Sequence, residues 1–323
     1  MTLKAAVIGA GRIGALLDDP NSPHILTHAH GYKASEGFEI VGFVDRELGK
    51  AQRAATCWGG KAFSSIEELF ARQDVDVVSV CVPDELHYET LSSLAKRPVR
   101  LIFLEKPPVR TATEAESIGA LYARLPIRVL VNYTRRFVPE IRRIGLAITD
   151  NEYGDFLSGT GYYGKGLMHN GSHMVDLVRF LLGEVDEIEP TDELADFYDD
   201  DPSVSALLSL ERGGRFYLKH IDCRNYDIFE LDLLFEKKRV RISDLGAVIE
   251  EYSVGDNKIF KDCRTLNKDR SYSTEHRRAM YHAITNIRSN LERDEPLACT
   301  LQDSLATVTT CLRISQAGSK SKA

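Results

Sequence analysis

The stretch Lys4–Gly14, KAAVIGAGRIG, decides how the rest of the chain is read. Ala5, Ala6, Val7 and Ile8 form a short apolar run that leads straight into Gly9, Gly11 and Gly14. A buried strand turning sharply into a helix N-terminus is the backbone shape that cradles a pyrophosphate. Gly9 permits the turn, Gly11 lets the backbone approach the phosphates, and Gly14 lets helix and strand pack closely. Unpaired N–H groups and the positive end of the helix dipole then face the negative charge. Glycines also mark ordinary tight turns. Placed directly behind a strand-like run, this trio predicts a dinucleotide site.

Composition narrows the class of protein. At 323 residues the chain can build one large or two medium domains with substantial cores. It is 43% hydrophobic and 28% charged, which indicates neither disorder nor fibre. A net charge of −7 argues against a nucleic-acid surface, which needs a basic stripe. No apolar run approaches a membrane span, and no charged-then-apolar leader opens the chain. The six cysteines show no C-x-x-C pair and read as reduced, mostly buried small hydrophobes. The expectation is a cytoplasmic protein with neither a membrane nor a nucleic-acid partner.

Beyond the glycines, Leu16–Leu26 reads as a loop insertion rich in proline and turn formers, and a helical pattern resumes over Thr27–Ser35. Phe38–Val44 is a second strand ending on Asp45. An acidic residue there is placed to accept both hydroxyls of an adenosine ribose. Its distance from the glycines exceeds the usual ~20 residues by about the length of the insertion. Asp45 favours NAD because its charge repels a 2′-phosphate; Arg46 softens that preference and leaves NADP open, and a plain turn residue is the alternative for Asp45. Ser65 to Glu68 has capping-box spacing. Val75–Val82 and Leu101–Leu104 are near-continuously apolar, as strands buried on both faces must be. Thr111 with Glu114 caps a further helix, and Ile127–Val131 is another strand. This alternation predicts a doubly wound parallel sheet whose strand ends (Gly9, Asp45, Pro83, Lys106, Asn132) share one edge.

After about Asn132 the rhythm changes. Pro139–Asp150 and Ser172–Leu182 look helical, the latter stopped by Gly183, and Phe156–Tyr163 looks like a strand. Strand-like runs then follow one another at Val204–Leu210, Arg215–Ile221, Ile228–Phe235, Arg239–Ile242 and Ala247–Tyr252. They predict an α+β domain with a large, mostly antiparallel open sheet. Helices over Thr274–Arg293 and Thr300–Ser315 close the chain, and Gly318–Ala323 reads as a frayed tail. The expected division is 1–131 and 132–323, with the last helices packing back on the first domain.

Three clusters could carry chemistry. Lys106, between Glu105 and Pro107 at a strand mouth, could hydrogen-bond a substrate oxygen while Glu105 orients its ammonium; a surface lysine at a strand end is the alternative. His173 and Asp176, three apart at a helix start, share a face, and a carboxylate beside an imidazole suits a general base; a histidine that merely caps the helix is the alternative. His169 and His173 have the spacing of a helical metal pair, but Gly171 suggests that the helix starts only after His169 and no third ligand is evident, so no metal is expected. Glu184–Asp201 holds ten acidic residues without Lys or Arg and reads as a solvated connection or an edge strand. His24, His28 and His30 border the cofactor cleft or lie in a solvated loop.

These motifs together resemble the glucose–fructose oxidoreductase/inositol dehydrogenase family over nearly the whole chain. The matches are GAGRIG (Gly9–Gly14), VDR (Val44–Arg46), VPDELH (Val82–His87), EKP (Glu105–Pro107), NYTRRF (Asn132–Phe137) and the helix with His173 and Asp176. The resemblance implies a Rossmann domain followed by a domain built on an open, mostly antiparallel sheet, assembled through that sheet into homodimers or homotetramers. It also implies NAD(P)-dependent chemistry on a ring hydroxyl or ketone of a sugar, cyclitol or nucleotide-linked sugar. Lys106 and His173 match the catalytic lysine and histidine of the family, with Asp176 beside them. Where many members place an aspartate four residues before that histidine, this chain has His169. The cofactor contacts so implied are Gly9, Gly11, Arg12, Ile13, Gly14, Asp45, Arg46, Val82, Pro83, His87, Glu105 and Lys106. The implied substrate contacts are Lys106, Arg136, Tyr163, His169, Asn170 and His173. The same scaffold also carries NAD-dependent glycosidases and non-catalytic sensors that bind NAD and a protein partner.

Overall fold

The computed structural model describes residues Thr2–Lys320. The chain divides into two compact units. The first runs through Phe137 and takes in Arg277–Val308; the second holds Val138–His276 and the chain from Thr309 on.

In the first unit, strands β1 (Leu3–Ile8), β2 (Phe38–Val44), β3 (Lys61–Phe63), β4 (Val77–Val80), β5 (Leu101–Leu104) and β6 (Arg128–Val131) form one parallel sheet. The order β3-β2-β1-β4-β5-β6 is that of a doubly wound α/β fold. Helices α1 (His28–Ala34), α2 (Leu48–Trp58), α3 (Ile66–Arg72), α4 (His87–Leu94) and α5 (Ala112–Tyr122) connect the strands. The side chains of β4 and β5 are all buried, as their unbroken apolar sequences require. Thr111 and Glu114 form a complete capping box on α5. Ser65 caps α3, whereas the Glu68 carboxylate reaches back to Ser64 N–H. β3 is a three-residue edge strand with no distinct sequence signal. Helix α8 (Ala279–Arg293) belongs to this unit, and Gly31 of α1 meets Met280 and Ile284 on it.

The second unit carries α6 (Pro139–Thr149), β7 (Phe156–Tyr163), α7 (Ser172–Leu182), β8 (Val185–Leu194), β9 (Ser203–Leu210), β10 (Arg215–His220), β11 (Glu230–Phe235), β12 (Lys238–Ser243), β13 (Val248–Asp256) and β14 (Arg264–Ser273). Its eight-stranded sheet runs β14-β13-β12-β11-β7-β10-β9-β8, antiparallel except where β10 lies parallel to β7. The acidic stretch forms edge strand β8, and β14 is a strand the sequence pattern did not announce. Helix α9 (Leu301–Lys320) replaces the frayed tail expected from Gly318 on as far as Lys320; Ser321–Ala323 lie outside the described residues. On α7 nine residues are buried, Met174 against Phe216 and Gly161 of the sheet among them. No helix among the described residues is long and apolar enough to cross a membrane.

Candidate active site

The strand ends of the first unit build one edge. Gly9 has φ +91°, and a Cβ there would lie 2.5 Å from the Cys81 carbonyl at the end of the neighbouring strand. Only glycine fits both conditions. A Cβ on Gly14 would lie inside 3.0 Å of the Gly9 carbonyl oxygen, so the wide helical turn Arg12–Leu16 seats directly against the strand end. At Gly11 a Cβ would meet no protein atom within 4 Å. Nothing in the protein itself therefore requires glycine at this position. Asp45 accepts from Ala10 N–H (3.0 Å) through one carboxylate oxygen and from Glu47 N–H (2.9 Å) through the other. It is thus a turn residue and a brace of the glycine turn at once, and a carboxylate still has lone pairs for ribose hydroxyls. Arg12, Arg46 and Pro83 are exposed along this region, and Ile13 and Val82 are half-buried.

At the end of β5, Glu105 accepts from His28 Nε2 (2.9 Å) and from Asn132 Nδ2 (2.6 Å). His28 Nδ1 meets Ser79 Oγ at 2.8 Å, and Ser79 Oγ meets the Tyr32 hydroxyl at 2.9 Å. His28 and His30 are therefore buried in α1, not carried in a solvated loop. Burial alone would raise the Glu105 pKa, but the donors from His28 and Asn132 and the charge of Lys106 outweigh it and hold the carboxyl below its ordinary range. Asn132 Oδ1 is buried on the same edge without a hydrogen-bond partner, an acceptor that a bound group can use. The glycine turn, Asp45 and this acceptor fit a dinucleotide.

Two further residues, His87 expected at the cofactor and Arg136 at the substrate, have partners within the first unit. His87 is buried, with Nδ1 2.7 Å from the Pro107 carbonyl and Nε2 3.0 Å from the Val82 carbonyl. Burial lowers its pKa against the pull of the two carbonyls, and the ring brackets the loops after β4 and β5 from behind. Arg136 is buried beside Asp303, 3.7 Å away, the residue that accepts from Thr300 N–H at the start of α9. Its charge faces that carboxylate.

The second unit places the other candidates at the junction of β7 and α7. Helix α7 starts at Ser172 with Gly171 as its N-cap, after His169 as the sequence suggests, and a wide helical turn over Gly166–Gly171 runs into it. His169 Nδ1 lies 2.7 Å from Asp201 Oδ2, and its ring stacks on Tyr198 at 4.0 Å between centroids. Asn170 donates to the Gly164 carbonyl at 2.9 Å. His173 is half-buried and Asp176 buried on α7. Tyr163 is fully buried beneath Gly171, its hydroxyl accepting from Val204 N–H and donating to the Val204 carbonyl, both at 2.7 Å. That double bond to backbone removes it from the substrate contacts. Asp201 and Tyr198 were not singled out from the sequence; they lie in the acidic connection, whose charge alone does not show that it folds back on the helix start.

Residues 3–133 match the family model described as an oxidoreductase family with an NAD-binding Rossmann fold. The chain is similar to the inositol 2-dehydrogenase of Arthrobacter sp. (strain FB24), 31% identical over 196 residues, 57% of this chain and 55% of that protein. It thus spans about half the length of the relatives it matches. Among solved structures, an NAD binding oxidoreductase from Klebsiella pneumoniae aligns with a TM-score of 0.82 at 14% identity, covering 99% of this chain and 98% of that one. The UDP-N-acetylglucosamine 3-dehydrogenase of Acidithiobacillus ferrooxidans aligns with a TM-score of 0.78 at 17% identity, covering 98% of each. Both share the two-part fold. The glycine turn, the strand order and the edge agree with that match, so residues 3–133 are similar to the NAD-binding Rossmann domain of this oxidoreductase family.

Proposed function

We propose that the protein is an NAD-dependent dehydrogenase acting on a ring hydroxyl or ketone of a sugar, cyclitol or nucleotide-linked sugar. The observation that carries this reading is the glycine turn braced by Asp45 on the edge that also bears Glu105 and Lys106. The names of the relatives support the substrate class, since inositol and UDP-N-acetylglucosamine both offer ring hydroxyls. Asp45 favours NAD over NADP by its charge. The dinucleotide supplies hydride exchange at the reacting carbon. Lys106 hydrogen-bonds the substrate oxygen and steadies its developing charge, and His173 binds the same oxygen and handles its proton. Lys106→Met is expected to bind NAD as the parent does and to lose about 10³-fold in turnover, a size typical of acid–base groups. Nicotinamide absorbance against a panel of cyclitols and nucleotide sugars measures it, and undiminished turnover in the variant overturns the assignment. Sugar release with no net absorbance change would point instead to a glycosidase.

Copies of the chain assemble, in this reading, through the uncovered face of the second unit's sheet. Ser158, Thr160 and Tyr162 of β7 share that face with Arg215 and Tyr217 of β10 and Asp232 and Leu234 of β11, as the strand registers show. Tyr217 and Leu234 are exposed there. Tyr217→Glu is expected to lower the mass seen by light scattering to that of one chain. A monomeric parent protein would sink this part of the proposal.

A further inference from the structure

Glu105 is held from behind by a chain of buried groups. Its Oε1 accepts from His28 Nε2 (2.9 Å) and from Asn132 Nδ2 (2.6 Å); His28 Nδ1 in turn meets Ser79 Oγ, and Ser79 Oγ meets the Tyr32 hydroxyl. An ionised carboxylate only accepts, so Nε2 of His28 carries a hydrogen and the Asn132 amide points its nitrogen at Glu105. His28, Ser79 and Tyr32 are buried, and the Glu105 side chain keeps 12% of its surface accessible. Burial pushes its pKa up, but His28, Asn132 and the charge of Lys106 hold it below its ordinary range. The other ionisable groups that feel this carboxylate are the Cys81 thiol just after β4 and His87 on α4. The end of β5 thus carries an anion fixed in place, with little water around it to screen its charge.

In the strand order β3-β2-β1-β4-β5-β6, the glycine turn follows β1 and Asp45 follows β2. A dinucleotide with its pyrophosphate on that turn and its adenosine ribose at Asp45 extends its other half over the ends of β4 and β5. Neighbouring strands lie about 4.8 Å apart, which puts the end of β5 about 10 Å from that of β1. The oxidised nicotinamide ring carries a positive charge that the reduced ring lacks. We propose that the Glu105 anion, positioned by His28, biases this edge toward the oxidised form of the dinucleotide. This rests on the NAD reading above and adds to it a preference between the two redox forms. Favouring the oxidised form makes the bound reduced form the better hydride donor. His28 is a positioning residue here, since it touches Glu105 and acts only through that carboxylate.

Calorimetric titration of the full-length protein with oxidised and with reduced NAD gives the ratio of the two dissociation constants. Glu105→Gln is expected to shift that ratio about tenfold toward the reduced form, the effect of one charge at about 12 Å and an effective dielectric of about 20. Loosened packing weakens both forms alike and leaves the ratio where it was, so the ratio separates charge from structure. His28→Ala removes one of the two donors, and Glu105 then takes up a proton at a higher pH than in the parent. Its ratio is expected to match that of the parent in mild alkali and to move toward that of Glu105→Gln on acidification. This pH profile stands in should Glu105→Gln fail to fold. An unchanged ratio in Glu105→Gln overturns the proposal and leaves NAD binding intact, as does a His28→Ala profile parallel to that of the parent. Parent protein that binds neither form takes the proposal down together with the reading beneath it.

Discussion

Gly14→Ala is expected to lose both stability and dinucleotide binding, whereas Gly11→Ala loses binding alone. The alanine methyl at position 14 would sit inside 3.0 Å of the Gly9 carbonyl oxygen, where ordinary contact needs about 3.5 Å. Neither side can yield cheaply. Gly9 is already in the left-handed region with the Cys81 carbonyl behind it, and the Val7 side chain borders the same methyl at 3.3 Å. The turn Arg12–Leu16 must move away from β1 as a body, at a cost of roughly 1–3 kcal/mol for overpacking. The amides it presents then leave their aim, and an equal loss in binding is about fivefold to 150-fold in Kd. At Gly11 the methyl meets no protein atom and the backbone has φ −79°, which alanine adopts freely. The Gly11→Ala protein should therefore melt like the parent and still bind NAD poorly, because only an approaching pyrophosphate feels the methyl. Calorimetric titration with NAD alongside thermal melts separates the two effects. Parental affinity in Gly11→Ala would falsify the glycine turn as a phosphate cradle.

Much of the first unit was legible because its signals are local. An apolar run into G-x-G-x-x-G, an acid at the next strand end and a Thr-x-x-Glu box each act within a few residues, and each forms as read. Strand β14 was not legible for a physical reason. RTLNKDRSYS is largely exposed and shows no apolar alternation; it is held by backbone pairing to β13 and by charges across the pair, Arg270 with Glu251 and Lys268 with Glu250. Side-chain partnerships across long stretches of chain were equally hidden. Glu105 meets His28 from 77 residues away, and His169 meets Asp201 from 32. Tyr163 illustrates pleat parity: Gly159, Gly161 and Tyr163 alternate onto the buried side of β7, under α7, so an aromatic residue at a strand end faces the core. Arg136 shows the same limit for charge, since its partner Asp303 arrives with a helix far along the chain.

The carboxylate at the end of β5 offers the second large effect. Glu105 is the only acceptor among the described bonds of His28 Nε2 and of Asn132 Nδ2, and all of these groups lie within the first unit's interior, with Ser79 and Tyr32 closing the chain behind them. Glu105→Ala strands two buried donors at about 1–3 kcal/mol each, so the variant is expected to lose roughly 2–6 kcal/mol of stability. Glu105→Gln isolates the charge. Its amide keeps one acceptor but turns an N–H toward one of the two donors. Because the folded protein holds the Glu105 pKa below its ordinary value, ionisation favours folding. That contribution is fully present above the unfolded value of about 4.3 and disappears as pH falls through the lower folded one. The stability gap between the parent and Glu105→Gln should therefore be widest near neutrality and shrink below about pH 4. Urea unfolding at a series of pH values measures it. A gap that stays constant through the acid range would mean that His28 and Asn132 hold a neutral carboxyl group. Lys106 follows Glu105 directly in the chain, so a carboxylate anchored from both sides also fixes where the proposed catalytic ammonium begins.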